Sequence, residues 1–327
     1  LFQRTIGMTV TMFFVSIMVF IIMELPPGDY AERWAFRKFS GTGTSITESD
    51  IDNIRAEFGL DRPAPERYIK WIGGIVLHGD FGEAFAFQTS VNIVIGQKIW
   101  LTITILFSTL IVTYLVSIPV GMYAAVRRSS IEDYALTVFS YLGFALPNFL
   151  LALILLYISI TFFDSTVGGL FSPEYADAPW SVEKGLDLLS HLVIPAIVLA
   201  WSATAFQLQT VRATMLDELN NLSVTAARAR GVPEWKLLIK YPARLAINPV
   251  VSTMSFDANR IFSELPIVAL VLGLPEMGEL LLKSYLDLDM FVAGAILLIL
   301  TFMIVFMNFL SDIALAILDP RVKLIEG

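Results

Sequence analysis

Cysteine is absent from all 327 residues, which excludes disulfide staples and every thiolate metal or redox site. Histidine occurs only as His78 and His191, far apart in sequence, so no cluster has zinc-ligand spacing and no metal site is expected. Charge is scarce at 16% of residues, and its balance of −8 leaves no basic face for nucleic acid. Nothing follows the Gly-x-x-x-x-Gly-Lys-Ser/Thr pattern of a phosphate loop, and no internal repeat is evident. What remains is apolar. Hydrophobic residues make up 56% of the chain and mean hydropathy is +0.71, far above that of a soluble domain. Lipid is the expected solvent for much of this protein.

A helix that crosses a bilayer needs about 20 mostly apolar residues. Uncharged runs of this kind cover 6–23, 99–126, 134–163, 192–211 and 291–311. A further segment, Leu245 to Leu274, is long enough but carries Asp257, Arg260 and Glu264. Positive charge marks the cytoplasmic side of short loops. Arg4 precedes the first run, Arg127 and Arg128 follow the second, and Arg212, Arg228, Arg230, Lys236, Lys240 and Arg244 precede the charged segment, with Arg321 and Lys323 in the tail. The opposite loops are acidic, with Asp164, Glu174, Asp177, Glu183 and Asp187 in one and Glu276, Glu279, Asp287 and Asp289 in the other. Both ends of the chain then lie in the cytoplasm. That requires an even number of spans and makes the charged segment the fifth of six. The first run lacks a small-residue cleavage site and ends in Glu24-Leu25-Pro26-Pro27-Gly28-Asp29, so a retained helix is expected over a cleaved signal; Leu1 leaves open what precedes it.

The expected fold is an all-α integral membrane protein with a first transmembrane helix in 1–25, an external region in 26–98, and a five-helix core in 99–327 that holds a cytoplasmic loop at 213–244. In the external region, Thr47 with Asp50 reads as an N-cap and Phe58-Gly59 as a helix end, which predicts a helix over 48–58. Leu60 to Pro63 reads as a turn, and Tyr68, Trp71 and Ile72 share one face of a second helix with its aromatics near the interface. The Gly-Thr-Gly-Thr stretch at 41–44 reads as a flexible loop.

The cytoplasmic loop is the most informative segment. From Thr225 the residues Ala226, Ala227, Arg228, Ala229 and Arg230 favour a helix, Gly231 suits a left-handed C′ position, and Pro233 suits the opening of a second helix. Trp235, Leu238 and Ile239 form an apolar stripe beside Glu234, Lys236 and Lys240. Such a helix-turn-helix fits a groove on a soluble partner or the surface of anionic lipid. In the fifth span, Asp257, Arg260 and Glu264 fall on one helical face, and each Asp or Arg there costs roughly 2.5 to 3.5 kcal/mol in lipid. The face is expected to form an ion network, to line a polar path, or both. Asp257 and Glu264 stand about 10 Å apart by helical rise, too far for a shared-proton catalytic dyad.

The loop also resembles a known element. Ala226-Ala227, three residues and then Gly231 resembles the EAA loop of bacterial ABC import permeases, with Thr225 in place of the usual glutamate. Ala227 to Gly231, followed by Arg244 and by Pro249 eighteen residues after the glycine, is similar to the oligopeptide/dipeptide-type permease family, with Ser223 at a usual tyrosine. Pro27-Gly28-Asp29, Gly59 to Pro63, Tyr68 with Trp71, Gly79-Asp80-Phe81-Gly82, Pro119-Val120-Gly121, Pro147 with Phe149, and Asp319-Pro320-Arg321 follow the family in order. Ala269 to Leu272 and Pro275-Glu276-Met277-Gly278 resemble a branch that includes oligosaccharide importers.

The resemblance implies a non-enzymatic permease subunit in a prokaryotic inner membrane, carrying peptides or oligosaccharides. Its implied partners are a homologous second permease, two ATPase subunits that bind ATP and Mg, and an external substrate-binding protein. The implied docking residues are Ala226, Ala227, Arg228, Ala229, Arg230, Gly231, Pro233, Glu234, Trp235, Leu238 and Ile239. The competing function is an ion-coupled secondary transporter that uses the intramembrane carboxylates.

Overall fold

The computed structural model describes residues 2–25, 31, 35, 47–163, 169–175 and 178–318. The blocks at 27–29, 41–44 and 319–321, together with Asp164, Asp177 and Lys323, lie outside the described residues.

The chain is almost entirely helical. It runs α1 (Phe2–Glu24), α2 (Glu48–Phe58), α3 (Ala64–Gly73) with a π turn (Gly74–His78), a two-residue hairpin β1 (Glu83–Ala84) and β2 (Thr89–Ser90), then α4 (Val91–Val126), α5 (Ile131–Ala145) and α6 (Asn148–Phe163). After these come α7 (Val182–Leu219), α8 (Leu222–Ala229), α9 (Glu234–Leu238), a second π turn (Ile239–Ala243), α10 (Arg244–Leu272), α11 (Met277–Leu286) and α12 (Met290–Leu318). Among the described residues, four helices are long and apolar enough to cross a membrane: Arg4–Glu24, Val91–Val126, Val182–Leu219 and Met290–Ile317. Two further pairs qualify only when taken together. Ile131–Ala145 meets Asn148–Phe162 at 103°, and Glu234–Leu272 meets Met277–Leu286 at 82°.

The first bend corrects the expectation of one continuous helix over 134–163. Pro147 has no N–H and its ring disfavours helical geometry at the preceding residue, so Leu146 is extended at φ −95° and ψ 117° and the helix restarts at Asn148. The second bend follows Gly273, which takes the left-handed conformation at φ 62° and ends α10. The sequence places Glu276 in an external acidic loop. It is fully buried, because its carboxylate caps α11 by accepting the Glu279 N–H at 2.9 Å and also accepts the Thr102 hydroxyl at 3.3 Å.

The chain divides into two compact units. In the unit of Leu1–Thr5, Trp100–Glu279 and Met303–Gly327, α7 is the central helix, and α4, α5, α6 and α10 pack around it. The core joins Ile105, Ala152, Leu192, Leu199, Leu265 and Leu272. Glycine permits two of the approaches. A Cβ on Gly121 would lie 2.8 Å from the Leu208 carbonyl oxygen, and one on Gly143 would lie 2.5 Å from the Ala205 Cβ, so α4 and α5 contact α7 backbone to backbone.

In the unit of Ile6–Ile99 and Leu280–Phe302, Thr47 and Asp50 form a capping box at the start of α2, and Gly59 at φ 67° closes it. Tyr68 and Trp71 on α3 pack against Phe20 of α1, and the Tyr68 hydroxyl meets the Ser16 hydroxyl at 2.8 Å. Arg67 pairs with Glu24 at the end of α1. Aromatic side chains that were expected at an interface are therefore partly consumed in holding α3 on α1.

Candidate functional site

The cytoplasmic loop folds as two short helices around a sharp turn. α7 continues to Leu219, Asn221 caps α8 by accepting the Ser223 N–H at 3.2 Å, and Gly231 turns the chain at φ 75°. Pro233, at φ −54° and ψ 135°, is the N-cap of α9 and stands one position ahead of its first turn. Val224, Ala227 and Leu237 form a small buried core, with Val232, Leu238 and Tyr241 packed against it. Across the turn, Arg228 donates to Glu234 from Nε at 3.2 Å and from NH2 at 2.6 Å.

That core divides the expected apolar stripe. Leu237 and Tyr241, one turn apart, set the inward face and draw Leu238 with them. Trp235 and Ile239, also one turn apart, point outward and are 63% and 61% exposed. Ala226, Ala229 and Arg230 are exposed on α8. Trp235 and Ile239 thus stand together on the outer face of α9, and Leu222 is also exposed on α8. The second π turn absorbs Pro242, which cannot donate to an α-helical ladder, and carries α9 without a break into α10.

The Arg228 hydrogen bonds, and secondarily its charge, hold the Glu234 carboxyl below the usual carboxylate range. A lowered carboxyl stabilises the fold at neutral pH, and its contribution is lost as pH falls through the lowered value. Both side chains are half exposed, so the effect is small and screened by salt. Glu234→Gln is therefore expected to speed amide exchange at 228–234 slightly at neutral pH and low salt. The difference from the parent should vanish in high salt or strong acid; equal exchange rates at low salt would contradict the clamp.

The second constellation lies on α10, and its direct ion network is not what the structure holds. Asp257 accepts the Tyr114 hydroxyl of α4 at 2.9 Å and the Gln207 amide of α7 at 2.5 Å, and Gln207 also donates to Thr253 at 2.8 Å. Glu264 accepts from Asn148 at the start of α6. Among the described residues no carboxylate oxygen lies within 4.0 Å of the Arg260 guanidinium, which stands 5.9 Å above the Phe206 ring. Helical spacing sets Asp257, Arg260 and Glu264 three and four residues apart along α10. It did not show that neutral donors on three other helices would reach the carboxylates first.

Sequence reading missed Asp133. It is buried at the start of α5 and is held by both Arg212 Nε at 2.6 Å and Arg212 NH2 at 2.8 Å, while accepting the Ser129 N–H at 3.0 Å. This pair fastens the α4–α5 turn to α7 close to where the two-helix element begins. The Ser130-to-Asp133 spacing carries a capping signal, and the Ser130 hydroxyl does accept the Asp133 N–H at 3.2 Å. Nothing in the sequence points from Asp133 to Arg212.

Two family descriptions match this chain along its length. Residues 117–324 match "Binding-protein-dependent transport system inner membrane component", and residues 1–116 match the N-terminal component of such membrane proteins. Among similar proteins, a peptide permease protein of Brucella ovis is 31% identical over 311 residues, covering 94% of each chain. The oligopeptide transport system permease protein AppB of Bacillus subtilis is 30% identical over 323 residues, covering 98% of each. A peptide ABC transporter permease protein of Sinorhizobium fredii is 27% identical over 322 residues, again covering 98% of each.

Proposed function

This chain belongs to the family of binding-protein-dependent transport system inner membrane components and is a permease subunit of an ABC importer; on that premise we propose that it forms half of a path for peptides handed over by an external binding protein. The peptide permeases among its relatives favour peptides over the oligosaccharides suggested by residues 275–278. The other half of the path comes from a homologous permease. Two ATPase subunits bind ATP with Mg and drive the cycle, and hydrolysis belongs to them.

We count each bent helix pair as one crossing, which gives six spans with both termini in the cytoplasm and 26–98 outside. The clustering of arginine and lysine supports this orientation. The Asp133–Arg212 pair ties the α4–α5 turn to the end of α7 that leads into α8, which fits both loops lying on one side. Residues 213–244 then form the ATPase-coupling element.

The observation that carries the proposal is the outward pair Trp235 and Ile239 on a helix continuous with α10. A tryptophan presented this way acts as an anchor for a partner's cleft, and loss of such an anchor costs about 2 kcal/mol or more. Force on α9 passes directly into the polar span that bears Asp257, Arg260 and Glu264. In the complete importer, the double change Trp235→Ala with Ile239→Ala is expected to cut ATPase co-purification at least about tenfold at equal permease yield. Undiminished recovery of the ATPase would rule out this docking surface.

A further inference from the structure

We propose that Arg260 is a carboxylate-receiving site on the path, engaging the free C-terminus of a passing peptide; this rests on the peptide-permease reading above. The first support is the outward face of α10. Ser252, Phe256, Asn259 and Ser263 recur at intervals of four and three residues and are all exposed, with Arg260 half-buried beside them. The Ser252 and Ser263 hydroxyls donate back to the Asn248 and Asn259 carbonyls, but the Asn259 amide and the guanidinium on this face require water or protein contact, because lipid offers them no partner.

The second support is the pairing of the neighbouring carboxylates. Asp257 is turned inward, 2% exposed, and bound by Tyr114 and Gln207, while Glu264 is bound by Asn148. Neither takes Arg260 as an ion-pair partner, and among the described residues no other carboxylate does. The third support is the Phe206 ring, whose centroid lies 5.9 Å from the guanidinium carbon. A ring at that distance attracts the cation without accepting a conventional hydrogen bond, and the planar fork of N–H donors matches a carboxylate with two parallel hydrogen bonds.

The same geometry keeps the engagement weak. Asp257 and Glu264 remain close enough to act on Arg260 through space, which lowers its attraction for an anion. A transit site must release its cargo as readily as it accepts it. Arg260 accordingly discriminates among passing solutes without holding them.

The test compares one tripeptide as free acid and as C-terminal amide, each delivered on saturated binding protein to the complete importer in proteoliposomes with ATP. Because both substrates arrive on the same binding protein, the readout is the ratio of their uptake rates. Arg260→Gln is expected to lower the acid-to-amide ratio about tenfold, with amide uptake reporting the overall transport capacity of the variant. Arg260→Lys keeps the charge but loses the fork, and is expected to lower the ratio part way. An equal fall for both peptides would overturn the proposal and assign Arg260 a structural role. If the glutamine variant does not assemble, the lysine variant decides, and an unchanged ratio there overturns the proposal too. Uptake of neither peptide by the parent importer would instead sink the peptide reading itself.

Discussion

A Gly231→Val chain is expected to reach the membrane at the parent level and to lose transport by at least about tenfold, a loss set by backbone strain. Gly231 sits at φ 75°, and nothing lies within 4 Å of where a Cβ would stand. The penalty therefore comes from backbone conformation and not from crowding. A β-branched residue in the left-handed region is strained by about 1–3 kcal/mol, and the turn relieves that strain by leaving the region. Leaving it swings α9 away from α8, breaks the Arg228–Glu234 bridge, and displaces Trp235 and Ile239 together. Hydrolysis of ATP should then continue without uptake. Gly231→Asn should transport nearly normally, since asparagine tolerates this conformation. Normal uptake by the valine variant at equal expression would count against the turn as the coupling joint.

The largest loss of stability is expected at Asp133. Its carboxylate is buried and receives two Arg212 N–H donors together with the Ser129 backbone N–H. Removing one partner of a buried pair leaves the other uncompensated, at a cost of about 3–5 kcal/mol. Asp133→Ala should therefore unfold at markedly lower temperature in detergent and accumulate poorly. Arg212 is 23% exposed and reaches some water, so the cost belongs at the lower end of that range. The double change Asp133→Ala with Arg212→Met should recover part of the loss, because no charge is then left unpaired. Equal stability of Asp133→Ala and its parent would mean that the pair contributes nothing to holding the α4–α5 turn.

Local chemistry was legible in the sequence where it acts over a few residues. Thr47, Asp50 and Gly59 marked both ends of α2, and Gly231 marked the turn between α8 and α9, because caps and left-handed positions depend on near neighbours alone. Long-range pairing was not legible. The partners of Asp257 are 143 and 50 residues away, and the Arg212 partner of Asp133 is 79 away, at distances where no periodicity speaks. Pro147 was visible, but whether a proline kinks or breaks a span depends on what surrounds it, and here Leu146 adopts the extended conformation that separates α5 from α6. The exposed pair on α9 shows a subtler limit. Trp235, Leu238 and Ile239 share a helical face by spacing, yet the small core around Leu237 rotates Leu238 inward.

The central claim, that Trp235 and Ile239 are where an ATPase docks, is tested most directly by cross-linking. The chain has no cysteine of its own, so a single Lys236→Cys or Leu237→Cys change gives a unique attachment point on this subunit and keeps both Trp235 and Ile239. With a short thiol-directed photo-cross-linker, position 236, exposed beside Trp235, is predicted to yield a covalent adduct with the ATPase subunit. Position 237, fully buried against Val224 and Ala227, is predicted to yield none. Adducts from 236 to lipid alone, or equal ATPase adducts from 236 and 237, would contradict the account.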